Sequence, residues 1–270
     1  MLDSITPVNE STEVIVVDNA SNNNEASLIE SLYPEVKVIR SKSNLGFAGG
    51  NNLGIKAAKG KYIFLVNNDT EFSIDNIEHL IRRLEEDSSI AAVSPKICFF
   101  YGEHTIQYAG YTTMSRITLR NEAIGFGEAD LGQYDKSRPT PYLHGAAMML
   151  RKSAIEAAGM MPECYFLYYE ELDWSVMMRR LGYTLWYEPR CTIFHKESQT
   201  TGSESTLRTY YITRNRLLFA KRNVVFPFYP LTIMYLICVV APKDVTLHLV
   251  KKRPDLAKAV IKGIFDFIRL

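Results

Sequence analysis

Tyr62-Ile63-Phe64-Leu65-Val66-Asn67-Asn68-Asp69-Thr70 decides how this chain is read. The first five residues are apolar and, Leu65 apart, β-branched or aromatic, which makes a short buried strand. The polar cluster that ends it puts one carboxylate, Asp69, at the carboxyl end of that strand, where open α/β sheets take their ligands. The same polar residues also suit a turn and a helix cap, because Asn, Asp and Thr bond their own backbone and residues 73–86 have a helical pattern.

Upstream, a β-branched run at residues 13–17 ends in Asp18-Asn19-Ala20-Ser21, residues 25–33 have a helical pattern, and residues 36–39 make a second short strand. A helix starting near Asn51 and stopping at Gly60 leads into the Tyr62 strand. Strands alternating with helices call for parallel pairing and right-handed crossovers. Parallel strands gather their carboxyl ends, so Asp18 and Asp69 are expected in one sheet, flanking one crevice. Between them, Asn44-Leu45-Gly46-Phe47-Ala48-Gly49-Gly50-Asn51-Asn52 reads as a glycine-rich loop entering a helix, whose free amides suit a phosphate. A tight turn with a capped helix accounts for it equally well. The glycine spacing fits neither the dinucleotide fingerprint nor a P-loop, which disfavours a nicotinamide-dependent oxidoreductase.

Downstream, residues 90–95 make a strand, and residues 101–142 form a long irregular stretch of the kind that carries function. His144 opens a strand over 144–151, where a structural role is the ordinary one. Tyr168-Tyr169-Glu170-Glu171-Leu172-Asp173-Trp174 begins a helix that stops at Gly182. The helix dipole stabilises acids in a first turn, yet three within four residues exceed a cap's needs. Glu170 and Asp173 share a face at i, i+3, so Glu171 points elsewhere, and crowding of like charge raises one pKa toward that of a base. His195 follows a short strand at 191–194, and an imidazole there, beside an Asp, suits a transition metal.

The chain has 270 residues and a formal net charge of +1, which hides a division. Residues 206–270 hold twelve Lys or Arg against three Asp or Glu, a net of +9, leaving −8 for residues 1–205. An acidic body without a nucleic-acid motif argues against nucleic acid as a partner, while a basic, apolar tail suits anionic lipid. Cys98, Cys164, Cys191 and Cys238 lack paired metal spacing and fit reduced thiols in the cytoplasm. No secretory signal opens the sequence. Residues 223–242 carry no charge, but Pro227 and Pro230 break the run and leave a short helix at about 231–241. Residues 254–270 then form a basic amphipathic helix. Peripheral docking at the inner face of the cell membrane is expected, and packing on the body or on a second copy in a homo-oligomer is the alternative.

Taken in order, Val16-Val17-Asp18-Asn19-Ala20-Ser21, the Asn44 to Ile55 stretch, Tyr62 to Thr70, Gly145-Ala146-Ala147-Met148, Tyr169 to Trp174 and His195 resemble a family 2 glycosyltransferase of the rhamnosyltransferase-like type. The resemblance spans about residues 1–220. It implies a GT-A type, Rossmann-like mixed sheet flanked by helices over residues 1–205, with residues 206–270 as a helical, membrane-associating extension. It implies an inverting transfer of a sugar, rhamnose being one candidate, from a nucleotide-diphosphate donor to a saccharide or lipid-linked acceptor in cell-surface polysaccharide synthesis. Asp18, Asn44, Gly46, Asn51 and Asn68 fall on donor-binding positions. Asp69 and His195 fall on metal ligands for Mn2+ or Mg2+, Glu171 on the catalytic base, and Glu170 and Asp173 on its supports.

The sequence departs from the family's pattern in three places. Asn67 stands where an Asp-x-Asp motif has its first acid, and Met177 where many relatives have Arg. Met1-Leu2-Asp3-Ser4-Ile5 resembles the helix that follows the usual first strand, so that strand is expected to be lacking. A start assigned too late would explain this, and so would a degenerate nucleotide-binding or scaffolding subunit of a membrane-associated complex.

Overall fold

The computed structural model describes residues 1–5, 11–101, 105–196 and 205–270. They fall into two compact units, one of Met1–Thr112, Ala123–Phe166 and Glu170–Glu197, the other of Thr113–Glu122, Leu167–Tyr169 and Ser198–Leu270.

The first unit is a sheet between helical layers. Strand β3 (Tyr62–Val66) alternates between two cores. Ile63 and Leu65 join Ala48, Ile55, Met148 and Trp174 on one side, while Tyr62, Phe64 and Val66 face Leu80, Leu84, Ile97 and Tyr187 on the other. Both faces are covered, which is why the strand is apolar throughout rather than alternating. Helix α4 (Ile77–Glu86) covers one core through Leu80 and Leu84, each fully buried and worth roughly 1.5–3 kcal/mol. On the other side lie α3 (Gly46–Ala57), α5 (Lys152–Ala158) and α6 (Glu170–Arg180).

Among the described residues this unit has a seven-stranded sheet with the path β3-β8-β5-β9-β4, in which β6 pairs with β5 and β7 with β9. Here β4 is Thr70–Glu71, β5 Ile90–Phe99, β6 Ile106–Tyr108, β7 Arg138–Pro139, β8 Ala147–Arg151 and β9 Thr184–His195. The sheet is mixed, because β8 runs antiparallel to β3 and β5 while β9 is parallel to β5. β1 (Ile15–Asp18) and β2 (Lys37–Arg40), joined by α2 (Glu25–Leu32), pair in parallel as a separate two-stranded sheet.

Four expectations change. Asp18 and Asp69 end strands of different sheets, because no described strand bridges β1 and β3. The Gly46 to Asn52 stretch is the first turns of α3 rather than a loop, because small residues let the helix lie close to its neighbours. The expected strand at 144–151 starts only at Ala147, because His144 to Ala146 form a turn closed by bonds among themselves. The 191–194 strand is the end of a much longer one, since β9 follows β5 along nearly its whole length. The opening residues form the short helix α1 (Leu2–Ile5), with Ile5 buried.

In the second unit, Ser205 caps α7 (Thr206–Asn223) by accepting the Arg208 N–H at 3.2 Å. Helix α10 (Pro254–Ile268) lies close against it at Gly263, where an added Cβ would come within 3.0 Å of the Tyr210 carbonyl oxygen. Tyr210 also donates to Asp266 at 2.8 Å. Buried Asn215 donates to the carbonyls of Leu167 and Tyr168 at 2.7 and 2.9 Å. Between α7 and α10 runs one continuous helix, Phe228–Val250, built of α8 (Phe228–Tyr235), a π turn at Leu236–Val240 and α9 (Ala241–Val250). It is longer than the expected 231–241 helix. Pro230 lies in its first turn, where no N–H is needed, and the π turn widens the backbone just ahead of Pro242. The helix is long and apolar enough to cross a membrane, and only 11% of its most apolar window is buried.

Candidate active site

Pairing of β4 with the end of β9 sets Thr70 opposite His195 and so brings Asp69 to the imidazole. Asp69 Oδ1 lies 3.2 Å from His195 Nε2. That oxygen is buried and accepts no hydrogen bond. The other ring nitrogen, Nδ1, faces the amide oxygen of Gln107 at 2.9 Å. An amide oxygen accepts only, so Nδ1 carries the proton and, in a neutral ring, Nε2 presents its lone pair to Asp69. Two acceptors facing each other across 3.2 Å suit a cation between them. A carboxylate oxygen and an imidazole nitrogen are a fitting pair for Mn2+, with the remaining positions left to a diphosphate and water. Among the described residues no group of three or more His, Cys, Asp or Glu side chains forms a ligand cluster, and Asp69 and His195 are the pair placed to hold a cation.

Asn67 gives its N–H to the Ala146 carbonyl at 2.9 Å and its own carbonyl accepts the Thr70 hydroxyl at 2.7 Å. The strand end is therefore a closed turn, tied to the Gly145-Ala146 segment. Asn68 is exposed.

Glu171 lies near Gly145, whose added Cβ would be 3.9 Å from the Glu171 carboxyl carbon and 3.9 Å from the Phe47 ring. Desolvation pushes the Glu171 pKa up to about 7, against the lowering pull of its own and Leu172's backbone N–H groups at the start of α6. Glu170 and Asp173 are buried, whereas Glu171 keeps some exposure. One acid thus keeps contact with solvent and two lie inside.

At the β1 end, Asp18 Oδ1 accepts the Ser21 N–H at 2.8 Å, and this bond with the Ser21 hydroxyl holds its carboxyl below the ordinary range. Asn19 ties β1 to α3, donating to the Gly46 carbonyl at 2.9 Å and accepting the Leu45 N–H at 2.9 Å. Asn44 accepts the Gly46 N–H at 2.9 Å. Gly46 has φ +73°, and a Cβ there would meet the Phe166 carbonyl oxygen at 2.2 Å. Asn51 spends its amide on the Phe47 carbonyl, one turn back in the helix. Of the expected donor-binding residues, Asp18, Asn44 and Gly46 thus share one connected corner, while Asn51 is occupied within α3.

Two residues escaped sequence reasoning as site members. Asn19 follows Asp18 at a strand end, and that position was its only signal. Gln107 sits in the irregular stretch and reaches His195 only because β6 and β9 both pair with β5. His144 is engaged within its own turn. Its Nδ1 accepts the Ala146 N–H at 3.1 Å and its ring stacks on Tyr111, with 13° between the planes. Burial, and then the neighbouring His195, push its pKa down to about 3. The ring is therefore neutral, with its proton on Nε2.

Comparisons with known proteins identify the family and the fold. The Glycosyl transferase family 2 model matches residues 2–159. The chain is 27% identical over 211 residues to the low-salt glycan biosynthesis hexosyltransferase Agl10 of Haloferax volcanii, covering 76% of this chain and 66% of that protein. It is 22% identical to the N-acetylglucosaminyl-diphospho-decaprenol L-rhamnosyltransferase of Mycobacterium tuberculosis, covering 71% and 68%. It thus spans about two thirds of the length of these relatives. Among solved structures, GalNAc-T7 with UDP, GalNAc and Mn2+ superposes with a TM-score of 0.60 at 14% identity, over 87% of this chain and 51% of that one. The mannosyltransferase PcManGT from Pyrobaculum calidifontis, in complex with GDP-Man and Mn2+, gives 0.55 at 14%, over 95% and 77%. The mixed sheet between helices is accordingly a GT-A fold. With more than half of its length matched by the family model, the chain belongs to glycosyltransferase family 2.

Proposed function

We propose that the protein is an inverting, metal-dependent glycosyltransferase that moves a sugar from a nucleotide-diphosphate donor to a saccharide or lipid-linked acceptor in cell-surface polysaccharide synthesis. The observation that carries this reading is the Gly145-Ala146 segment: a Cβ added at Gly145 would lie 3.9 Å from the Glu171 carboxyl carbon, and the Ala146 carbonyl accepts the Asn67 N–H at the start of the Asp69 turn at 2.9 Å. One short stretch of backbone thus links the proposed base to the proposed cation corner. Asp18, Asn19 and Asn44 form the polar corner to which a nucleoside is assigned. Glu171 takes the proton of the acceptor hydroxyl while that oxygen forms a bond to the anomeric carbon. The bond from that carbon to the diphosphate breaks on the opposite face, and its electron pair leaves with the diphosphate. When bound, a divalent cation held by Asp69 and His195 neutralises charge developing on that leaving group. Rhamnose as the sugar is supported by the name of the mycobacterial relative.

Residues 206–270 serve as the membrane-attaching extension of the 1–205 catalytic domain. Their excess of basic residues, and exposed Phe226, Leu231, Met234, Val239 and Val250, support peripheral docking on anionic lipid at the cytoplasmic face.

A panel of nucleotide sugars with Mn2+, run on wild type and Glu171→Gln, tests the assignment. Transfer or donor hydrolysis by wild type alone is the expected result. Equal inertness of both proteins with retained nucleotide binding would leave a scaffolding subunit instead.

A further inference from the structure

The metal corner has a residue behind it that the functional reading does not use. His195 can serve a cation only through the nitrogen facing Asp69, and which nitrogen carries the proton is set by the partner of the other. That partner is the buried amide of Gln107, whose oxygen lies 2.9 Å from Nδ1. The reverse amide orientation would move the proton to Nε2, where it would bond to Asp69 Oδ1 and close the corner. Instead Asp69 Oδ1 accepts no hydrogen bond, 3.2 Å from Nε2. A buried ring held from behind also loses less rotational freedom on binding an ion, which favours affinity.

We infer that Gln107 is a positioning residue that locks His195 in the Nδ1–H tautomer and thereby sets divalent-cation affinity at the Asp69–His195 corner. The inference rests on those two residues being the cation ligands. Gln107 itself touches neither the ion nor the substrate. Its neutral amide also leaves Asp69 as the one anion of the pair, so a bound divalent cation keeps positive charge for a diphosphate.

The test is a Mn2+ titration of the full chain, followed by the electron paramagnetic resonance signal of the free ion. Gln107→Leu, which removes the acceptor, is expected to weaken Mn2+ binding about 10- to 100-fold, and Gln107→Glu, which keeps one, to stay within about threefold of wild type. Wild-type affinity in Gln107→Leu, with binding lost in Asp69→Ala, would overturn the role of Gln107 alone. Wild-type affinity in Asp69→Ala would overturn the ligand assignment beneath it. A measurement on unsubstituted protein covers the case in which Gln107→Leu does not fold. Long-range 1H–15N correlation of 15N-histidine-labelled enzyme is expected to place the His195 proton on Nδ1, and a proton on Nε2 alone refutes the inference.

Discussion

The Asp18 corner at the end of β1 and the Asp69–His195 corner at the end of β9 are built from the same residue types in opposite states. At the β1 end, Asp18, Asn19 and Asn44 lie near solvent and are bonded to each other's turns, and Ser21 keeps Asp18 ionised. At the β9 end, Asp69 Oδ1 is buried without a donor, and Glu171 is desolvated until its pKa reaches about 7. Carboxylates already satisfied by backbone make good recognition surfaces, because they hold one charge state. Carboxylates stripped of water can change state, or take an ion, at neutral pH. Under the proposed function the contrast separates recognition from chemistry, and each corner can be perturbed alone.

The largest effect is expected from Glu171→Gln, which removes the base without changing size. Turnover should fall by about 10²- to 10⁴-fold, with calorimetric binding of the nucleoside diphosphate identified by the donor panel unchanged. In wild type, kcat should rise with pH through about 7 and level above it, since the ionised form is the base. Stability runs the other way. The folded pKa lies above the ordinary 4.5, so the folded protein keeps a proton that the unfolded chain sheds, and this group's contribution falls as pH rises from about 4.5 through about 7. Parallel kcat and melting profiles would show the opposed trends, and a flat kcat limb would break the assignment.

Next in size is Asp69→Ala. Stabilisation by Mn2+ with that nucleoside diphosphate in thermal shift should vanish, since ligand-induced stability scales with affinity. Asp18→Asn should leave that Mn2+ response in place, and a response lost in both variants would erase the contrast.

Gly46→Ala tests the joint between the ends. The positive φ and the 2.2 Å approach to the Phe166 carbonyl predict a loss of about 1–3 kcal/mol in unfolding free energy, measured by denaturant melts. A neutral outcome would mean that α3 can retreat from Phe166.

The smallest effect is expected at Asp18→Asn, which keeps the shape of the turn and removes a charge. Affinity for the nucleoside diphosphate identified by the donor panel should drop about tenfold, equivalent to one charge-assisted hydrogen bond of about 1.5 kcal/mol. A loss as large as that of Asp69→Ala would place metal chemistry at the β1 end as well.

The β3 strand, the α4 stripe, the first turn of α6 and the acids themselves were legible in the sequence, because each is a local pattern. Period-two and period-3.6 apolar spacing report burial within one element, and polar clusters at strand ends report turns. The start of α3 at Gly46 was not legible, because Gly46, Gly49 and Gly50 within five residues argue against a helix unless close neighbours compensate. Here Asn19 and Phe166 supply those neighbours. Continuation of the tail helix past Pro242 was hidden for a similar reason, since a local rule for proline was overridden by a π turn.

By itself the sequence determined the family, the helix and strand types, and which carboxylates end strands or open helices. Only the tertiary structure decided which of them share a corner and in what protonation state. Asp69 meets His195 through strands far apart in sequence, Gln107 reaches His195 through a third strand, and Glu171 acquires its raised pKa from burial. The reason is physical: hydrogen-bond partners and desolvation depend on what packs around a side chain, and packing joins segments that no local pattern relates.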